Sequence, residues 1–158
     1  MRKINKSHRG FTLIELLIVI TILATLLVVV FVALNPGGRL QAARDARRSS
    51  DVDSILTAIH QYVIDNNSTY PAGLSTVEQQ LGTATTGCAI STGGCTVTAT
   101  SCLDVSTPLV KYLKSIPIDP VTTYTDASTG YSVLKDSNGI ITVRACGTEG
   151  ANNIYTSR

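Results

Sequence analysis

The chain has 158 residues, with 13 basic and 11 acidic side chains and a formal net charge of +2 at pH 7. This length fits one domain with a stalk. Four of the 13 basic residues lie in the first ten positions, which leaves 9 basic against 11 acidic residues in the remainder. The remainder is therefore slightly acidic, and its charge gives no argument for nucleic-acid binding.

The motifs of common enzyme classes are missing from the sequence. It has no glycine-rich phosphate loop, no His-Glu-x-x-His helix and no serine in a nucleophile elbow. His60 is the only histidine beyond residue 10, which disfavours a Cys-His pair. We therefore expect a protein without catalytic residues and without a cofactor.

In chain order, the first feature is a basic segment followed by an apolar one. Residues 1–10 are basic, and residues 11–34 contain a single charge, Glu15. A hydrocarbon core of about 30 Å needs about 20 helical residues, so the apolar segment is long enough to span it. Basic residues stay cytoplasmic, which predicts that the chain beyond residue 34 is exported. A cleaved secretory signal would have a shorter apolar core and a small-residue cleavage site, and this segment has neither.

Glu15 stands alone in the apolar segment, where a carboxylate costs roughly 2.5 to 3.5 kcal/mol on insertion scales. In one interpretation it lies at the headgroups and complements the helix dipole. In the other, cleavage after Gly10 gives Phe11 a free amine about one helical turn away. Glu15 then pairs with that amine, or with the amine of a neighbouring subunit.

Residues 9–20, which read RGFTLIELLIVI, resemble the class III signal of type IV pilins and type II secretion pseudopilins. The resemblance implies that a membrane prepilin peptidase cleaves after Gly10 and methylates the new N-terminal residue, Phe11. It also implies that Glu15 takes the role of the family's essential glutamate, which aids docking into a growing filament. The strong similarity extends from Arg9 to about Leu34.

A helix break follows the apolar segment. Proline removes a backbone donor and clashes with the preceding turn, and glycine adds conformational freedom. We therefore expect Pro36, Gly37 and Gly38 to interrupt the helix. The break is either a simple boundary between two helices or a hinge that lets the membrane span tilt in a filament.

An amphipathic helix is predicted over residues 39–66, because its apolar residues recur at steps of three and four. Near its start, Arg44, Arg47 and Arg48 form a basic group. One interpretation is contact with anionic lipid headgroups or with acids of a neighbouring subunit. The alternative is a solvated helix face.

Residues 67–158 predict a small sheet, and the clearest strands are residues 131–135 and 140–145. Asn138-Gly139 between them favours a tight hairpin. Ile154 and Tyr155 suggest a third strand, and residues 77–81 and 108–114 suggest short helical turns. The layout of Tyr-Pro, Ile-Pro-x-Asp-Pro and a late hairpin resembles major pseudopilins and short pilins.

Four cysteines lie in the segment predicted to be exported, where an even number favours disulfides. They are Cys88, Cys95, Cys102 and Cys146. Three pairings are open, and we favour Cys88–Cys95 with Cys102–Cys146. The spacings do not match the Cys-x2–4-Cys pairs of zinc sites.

Two further patterns involve aspartates and asparagines. Asp119, Asp126 and Asp136 are candidate calcium ligands, because some pseudopilins bind calcium after the Asp-Pro segment. No dense acidic loop supports that site, so we expect no metal. Asn66 and Asn67 each begin an Asn-x-Ser/Thr pattern, the acceptor pattern for N-glycosylation, and the sequence leaves their modification open.

Together these features predict a pilin-like α+β fold, with a long N-terminal helix broken at residues 35–38 and packed on a small antiparallel sheet. We expect a removed leader (1–10), a membrane and filament-core helix (11–35), a break with an amphipathic helix (36–66) and an extracellular head (67–158). The predicted function is a structural pilin of a type IV pilus-like filament. It starts as a single-pass membrane precursor, is cut by prepilin peptidase, and self-associates with the help of inner-membrane pilus or secretion machinery. The alternatives are a minor pilin or pseudopilin in adhesion, DNA uptake or secretion, and a monomeric membrane-anchored binding domain.

Overall fold

A computed structural model describes residues 10–150 and 153–158 of the chain. The rest of the predicted leader, residues 1–9, lies outside the described residues. The described chain divides into two compact units, one ending at Arg39 and the other beginning at Leu40. Its helices and strands, in chain order, are α1 (Leu13–Leu34), α2 (Pro36–Asp65), β1 (Gln79–Gln80), α3 (Ser106–Leu109), β2 (Tyr131–Lys135), β3 (Ile141–Ala145) and β4 (Ile154–Ser157).

Helix α1 is apolar on every face, and none of its 22 residues is buried. Its length and composition are sufficient to cross a membrane. Thr21 and Thr25 donate their hydroxyls to main-chain oxygens one turn earlier, those of Ile18 and Ile22, at 2.8 Å. This satisfies both hydroxyls within the helix, so they add little cost in an apolar environment.

The break between α1 and α2 is confined to Asn35, which adopts a left-handed conformation with φ 40°. Its N–H donates to the Val32 oxygen, and its Oδ1 accepts a hydrogen bond from the Gly38 N–H at 3.4 Å. Asn35 therefore ends α1 and also caps α2. Pro36 and Gly37 lie within the first turn of α2, where proline's missing N–H has no helical partner to lose.

The head packs one face of α2 against an antiparallel sheet of order β1-β2-β3-β4. Val52, Ile55 and Ile59 of α2 follow helical spacing and are at most 1% exposed. Their partners in the same core include Tyr131 and Val143 of the sheet. The prediction of a pilin-like α+β fold is confirmed.

The predicted hairpin is also confirmed, since β2 and β3 pair from Tyr131↔Ala145 to Lys135↔Ile141. In the turn, the Asp136 carboxylate accepts hydrogen bonds from the N–H groups of Asn138 and Ile140, both at 2.8 Å. The suggested third strand is present as β4, next to β3.

The predicted helical turn over residues 77–81 is wrong, because Gln79 and Gln80 form β1 and pair with β2. The neighbouring Glu78 explains why, since its carboxylate accepts hydrogen bonds from Ser132 of β2 and from Thr96. These contacts hold the segment extended beside the sheet. Helix α3 lies at residues 106–109, earlier and shorter than the predicted turn.

The favoured disulfide pairing is wrong. The structure pairs Cys88 with Cys102 and Cys95 with Cys146. Residues 88–102 fold back on themselves, with the Cys88 N–H donating to the Thr100 oxygen at 3.0 Å and Ile90 paired with Val97. Cys88 and Cys102 therefore meet at the base of this irregular hairpin, and Cys95 lies at its tip.

The tip of that hairpin packs closely against the end of β3. Gly93 has φ +59°, and a Cβ there would lie 2.6 Å from the Cys146 oxygen. Thr92 donates its hydroxyl to the same oxygen at 2.7 Å. Cys95 also contacts the Ser132 hydroxyl at 3.2 Å, on the opposite face of β2 from Tyr131. The hairpin thus covers the face of the sheet that α2 does not.

Non-reduced peptide mapping checks this pairing. Thermolysin digestion of the denatured protein should separate the cysteines by cutting before Ile90 and Val97. It should then release Cys88 linked to Cys102 and Cys95 linked to Cys146. A peptide linking Cys88 to Cys95 would contradict the structure.

The two disulfides should differ in how much they stabilise the head, because loop-closure entropy grows with loop length. Replacing Cys95 and Cys146 by serine should lower the free energy of unfolding by about 4 kcal/mol, and replacing Cys88 and Cys102 should lower it by about 3 kcal/mol.

Candidate processing and assembly site

The candidate site lies at the start of α1, where Gly10 and Phe11 precede the helix and are exposed. Thr12 is the N-cap residue, and its hydroxyl accepts a hydrogen bond from the Glu15 N–H at 3.3 Å. In return, Glu15 Oε2 accepts from the Thr12 N–H at 2.9 Å and from the Thr12 hydroxyl at 2.7 Å. These contacts form a capping box.

Thr12 is a functional candidate that the sequence interpretation missed. The sequence interpretation gives Glu15 the helix dipole at the headgroups or an amine as its partner, although the Thr-x-x-Glu spacing is itself a capping-box signal. In the uncut chain the Phe11 nitrogen is part of a peptide bond and carries no charge. The Glu15 carboxylate is instead satisfied within its own chain by Thr12, and it becomes available to an amine only if these bonds are exchanged.

A second site is built around Arg48, whose side chain is fully buried between α2 and the loops at one end of the sheet. Its Nε and Nη2 donate to the two Asp119 carboxylate oxygens at 2.6 and 2.8 Å, a bidentate pair. Its Nη1 donates to Asp45 at 2.7 Å and to Glu149 at 3.3 Å. The bonds to Asp119 raise the pKa of Arg48 further above its ordinary value, so the guanidinium stays charged.

Arg44 adds a further ion pair to this network, because its guanidinium binds both oxygens of Glu149. That hydrogen bonding lowers the pKa of Glu149. For Arg48 both interpretations, surface contact and a solvated face, are wrong because its side chain is buried, and Arg44 binds an acid of its own chain. The i, i+4 placement of Arg48 relative to Val52 puts it on the buried face, where the loop of Asp119 supplies its partner.

The structure does not bring the three candidate calcium ligands together. Asp119 binds Arg48 and also accepts a hydrogen bond from the Val121 N–H at 3.0 Å. Asp136 caps the hairpin turn, and Asp126 lines a separate small cavity. Among residues 10–150 and 153–158, no three His, Cys, Asp or Glu side chains are grouped so that they could hold a metal ion.

The fold and the N-terminal site together define a pilin-like protein, with a helix able to span a membrane and an α+β head. The family model described as "Prokaryotic N-terminal methylation motif" matches residues 5–31. The chain therefore carries the class III signal of type IV pilins and pseudopilins, which supports that general class. The motif implies processing by prepilin peptidase and assembly by pilus or secretion machinery. No curated protein and no solved structure matches the chain.

Double-mutant unfolding tests the buried ion pair. Asp119→Ala leaves the Arg48 charge buried without its main partner, so the free energy of unfolding should fall by about 3–5 kcal/mol. Adding Arg48→Met removes that charge, so the double variant should be more stable than Asp119→Ala alone. Urea unfolding followed by tyrosine fluorescence measures both effects.

The exposed pair of Lys111 and Asp65 provides the matched control, since its two side chains are 72% and 45% exposed. Asp65→Ala should change stability by no more than about 1 kcal/mol. Equal losses at Asp65 and Asp119 would contradict the role given to the buried pair.

Proposed function

We propose that the chain is a structural pilin, the repeating subunit of a type IV pilus-like surface filament. The observation that carries the proposal is α1 itself, a helix of 22 residues with no buried side chain and a single carboxylate in its first turn. Such a surface needs lipid or other apolar helices around it, because it cannot remain in water. The methylation motif over the same segment favours its release from the membrane into a helical polymer.

Export of the head is the second part of the proposal. The basic residues at positions 1–10 favour a cytoplasmic N-terminus, which sends the head across the membrane. All four cysteines of the head are paired in disulfides. Disulfides persist in oxidising compartments, so their presence agrees with an exported head.

In the proposed assembly step, cleavage after Gly10 removes the charged leader and creates an amine on Phe11. The amine of one subunit then binds Glu15 of a neighbouring subunit, in place of the bonds from Thr12. This pairing brings together two charges that would each be costly alone in an apolar filament core. Leu, Ile and Val side chains of α1 exchange lipid for neighbouring helices at the same time.

Intact mass spectrometry of protein sheared from native cells tests the proposal. The main species should begin at methylated Phe11 and have its mass lowered by two disulfides. Gly10→Val should block cleavage, and the protein should remain in the membrane with Met1 still present. A wild-type chain found only in membranes and starting at Met1 would make the protein an anchored monomer. Filaments of uncut Gly10→Val chains would also refute the scheme.

Substitutions at Glu15 and Thr12 test the pairing. Glu15→Gln keeps an acceptor for the Thr12 cap but loses the charge. It should therefore be cleaved normally yet lose roughly 3–5 kcal/mol per subunit contact, a hundredfold or more in affinity. Thr12→Val removes the local hydroxyl donor and keeps both the main-chain N–H and the Glu15 charge, so its filaments should still form. Filament yield in sheared fractions, compared with membrane content, gives the readout. Normal filaments from Glu15→Gln would exclude the charge pairing.

A further inference from the structure

The exit of α2 contains two overlapping Asn-x-Ser/Thr patterns that the filament proposal does not use. The first begins at Asn66 and needs Ser68, and the second begins at Asn67 and needs Thr69. The chain reverses here through two left-handed residues, Asn67 with φ 52° and Ser68 with φ 63°. All four side chains are exposed, so the turn projects from the head into solvent.

The two asparagines differ in the state of their side-chain amides. Asn66 Nδ2 donates to the Tyr62 oxygen at 2.8 Å, which helps to cap the end of α2. The Asn67 amide makes no hydrogen bond with the part of the chain that the structure describes. The nitrogen of Asn67 is therefore accessible for reaction, whereas that of Asn66 would have to leave its partner first.

A cleft of about 270 Å³ begins at Asn66, directly beside the turn. Two of its walls are the rings of Tyr62 and Tyr112, whose centroids lie 6.3 Å apart at an interplanar angle of 86°. On its rim, Asp65 accepts hydrogen bonds from Lys111 and from the Tyr112 hydroxyl, both at 2.8 Å. Aromatic rings beside charged and hydroxyl groups suit a sugar ring, which has C–H faces and hydroxyl edges.

We propose that Asn67 is a glycosylation site and that the first sugar lies against the Tyr62–Tyr112 cleft. The donor is an oligosaccharide carried on a lipid diphosphate. The Asn67 amide nitrogen forms a bond to the anomeric carbon and releases a proton. The bond from that carbon to the phosphate oxygen breaks, and the lipid diphosphate leaves with the electron pair. The inference rests on the proposed export of the head, since an accessible head is what the transferase would meet.

Four variants assign the site by mass spectrometry of protein from native cells. Ser68→Gly removes only the Asn66 pattern and suits the left-handed backbone. Thr69→Ala removes only the Asn67 pattern, and Thr69→Ser restores it. The whole glycan mass should be present in wild type, Ser68→Gly and Thr69→Ser, and absent from Thr69→Ala and Asn67→Gln. A glycan lost in Ser68→Gly but kept in Thr69→Ala would place it on Asn66 and overturn the assignment.

The same spectra separate this inference from the proposed function. Unmodified Asn67 in chains that begin at methylated Phe11 and contain both disulfides would overturn glycosylation and leave the filament proposal intact. Chains that begin at Met1 with free thiols would overturn both.

Placement of the sugar in the cleft is tested separately. Tyr112→Ala should keep the glycan but let a glycan-releasing amidase remove it several-fold faster. The control is Tyr155→Ala, an exposed tyrosine on β4, which should release it at the wild-type rate. Equal rates for the two variants would overturn the placement.

Discussion

The bidentate ion pair between Arg48 and Asp119 is the constraint on which the head depends. The guanidinium on the buried face of α2 would strongly destabilise the fold unless a carboxylate paired with it. Gly130 and Gly147 both approach Asp119, and a Cβ at either position would lie less than 3.0 Å from its side chain. The pair therefore fixes how the loops at this end of the sheet sit on α2, and the apolar core fills the space that remains.

Two further contacts adjoin that pair. Arg44 shares Glu149 with Arg48, and Glu149 lies only three residues beyond Cys146. The disulfide from Cys146 then leads to Cys95 and the hairpin on the other face of the sheet. The Asp119 loop is thus held to α2 by charge, and the hairpin is held to the end of β3 by a covalent bond, which suits a head with few large apolar residues.

Local patterns predicted the two long helices and the main hairpin, because hydrophobic period and turn residues are properties of neighbouring positions in the sequence. They placed β2 at residues 131–135 without error. They failed where distant segments meet. Arg48 looked like one of three surface arginines because its partner, Asp119, is 71 positions away. Cys95 was assigned to a nearby cysteine because nothing in the spacing reveals that the hairpin tip reaches β3.

The two disulfides also limit how far the head could stretch if the proposed filament were pulled. The Cys95–Cys146 bond joins positions 51 residues apart. With the bond intact, mechanical unfolding cannot extend that stretch, which withholds roughly 170 Å of chain at about 3.3–3.6 Å per residue. A pulling force applied through α2 would act on a head in which residues 95–146 are closed by a disulfide and cannot be drawn out. A filament of such subunits could lengthen only through the parts of each subunit that lie outside the closed stretch.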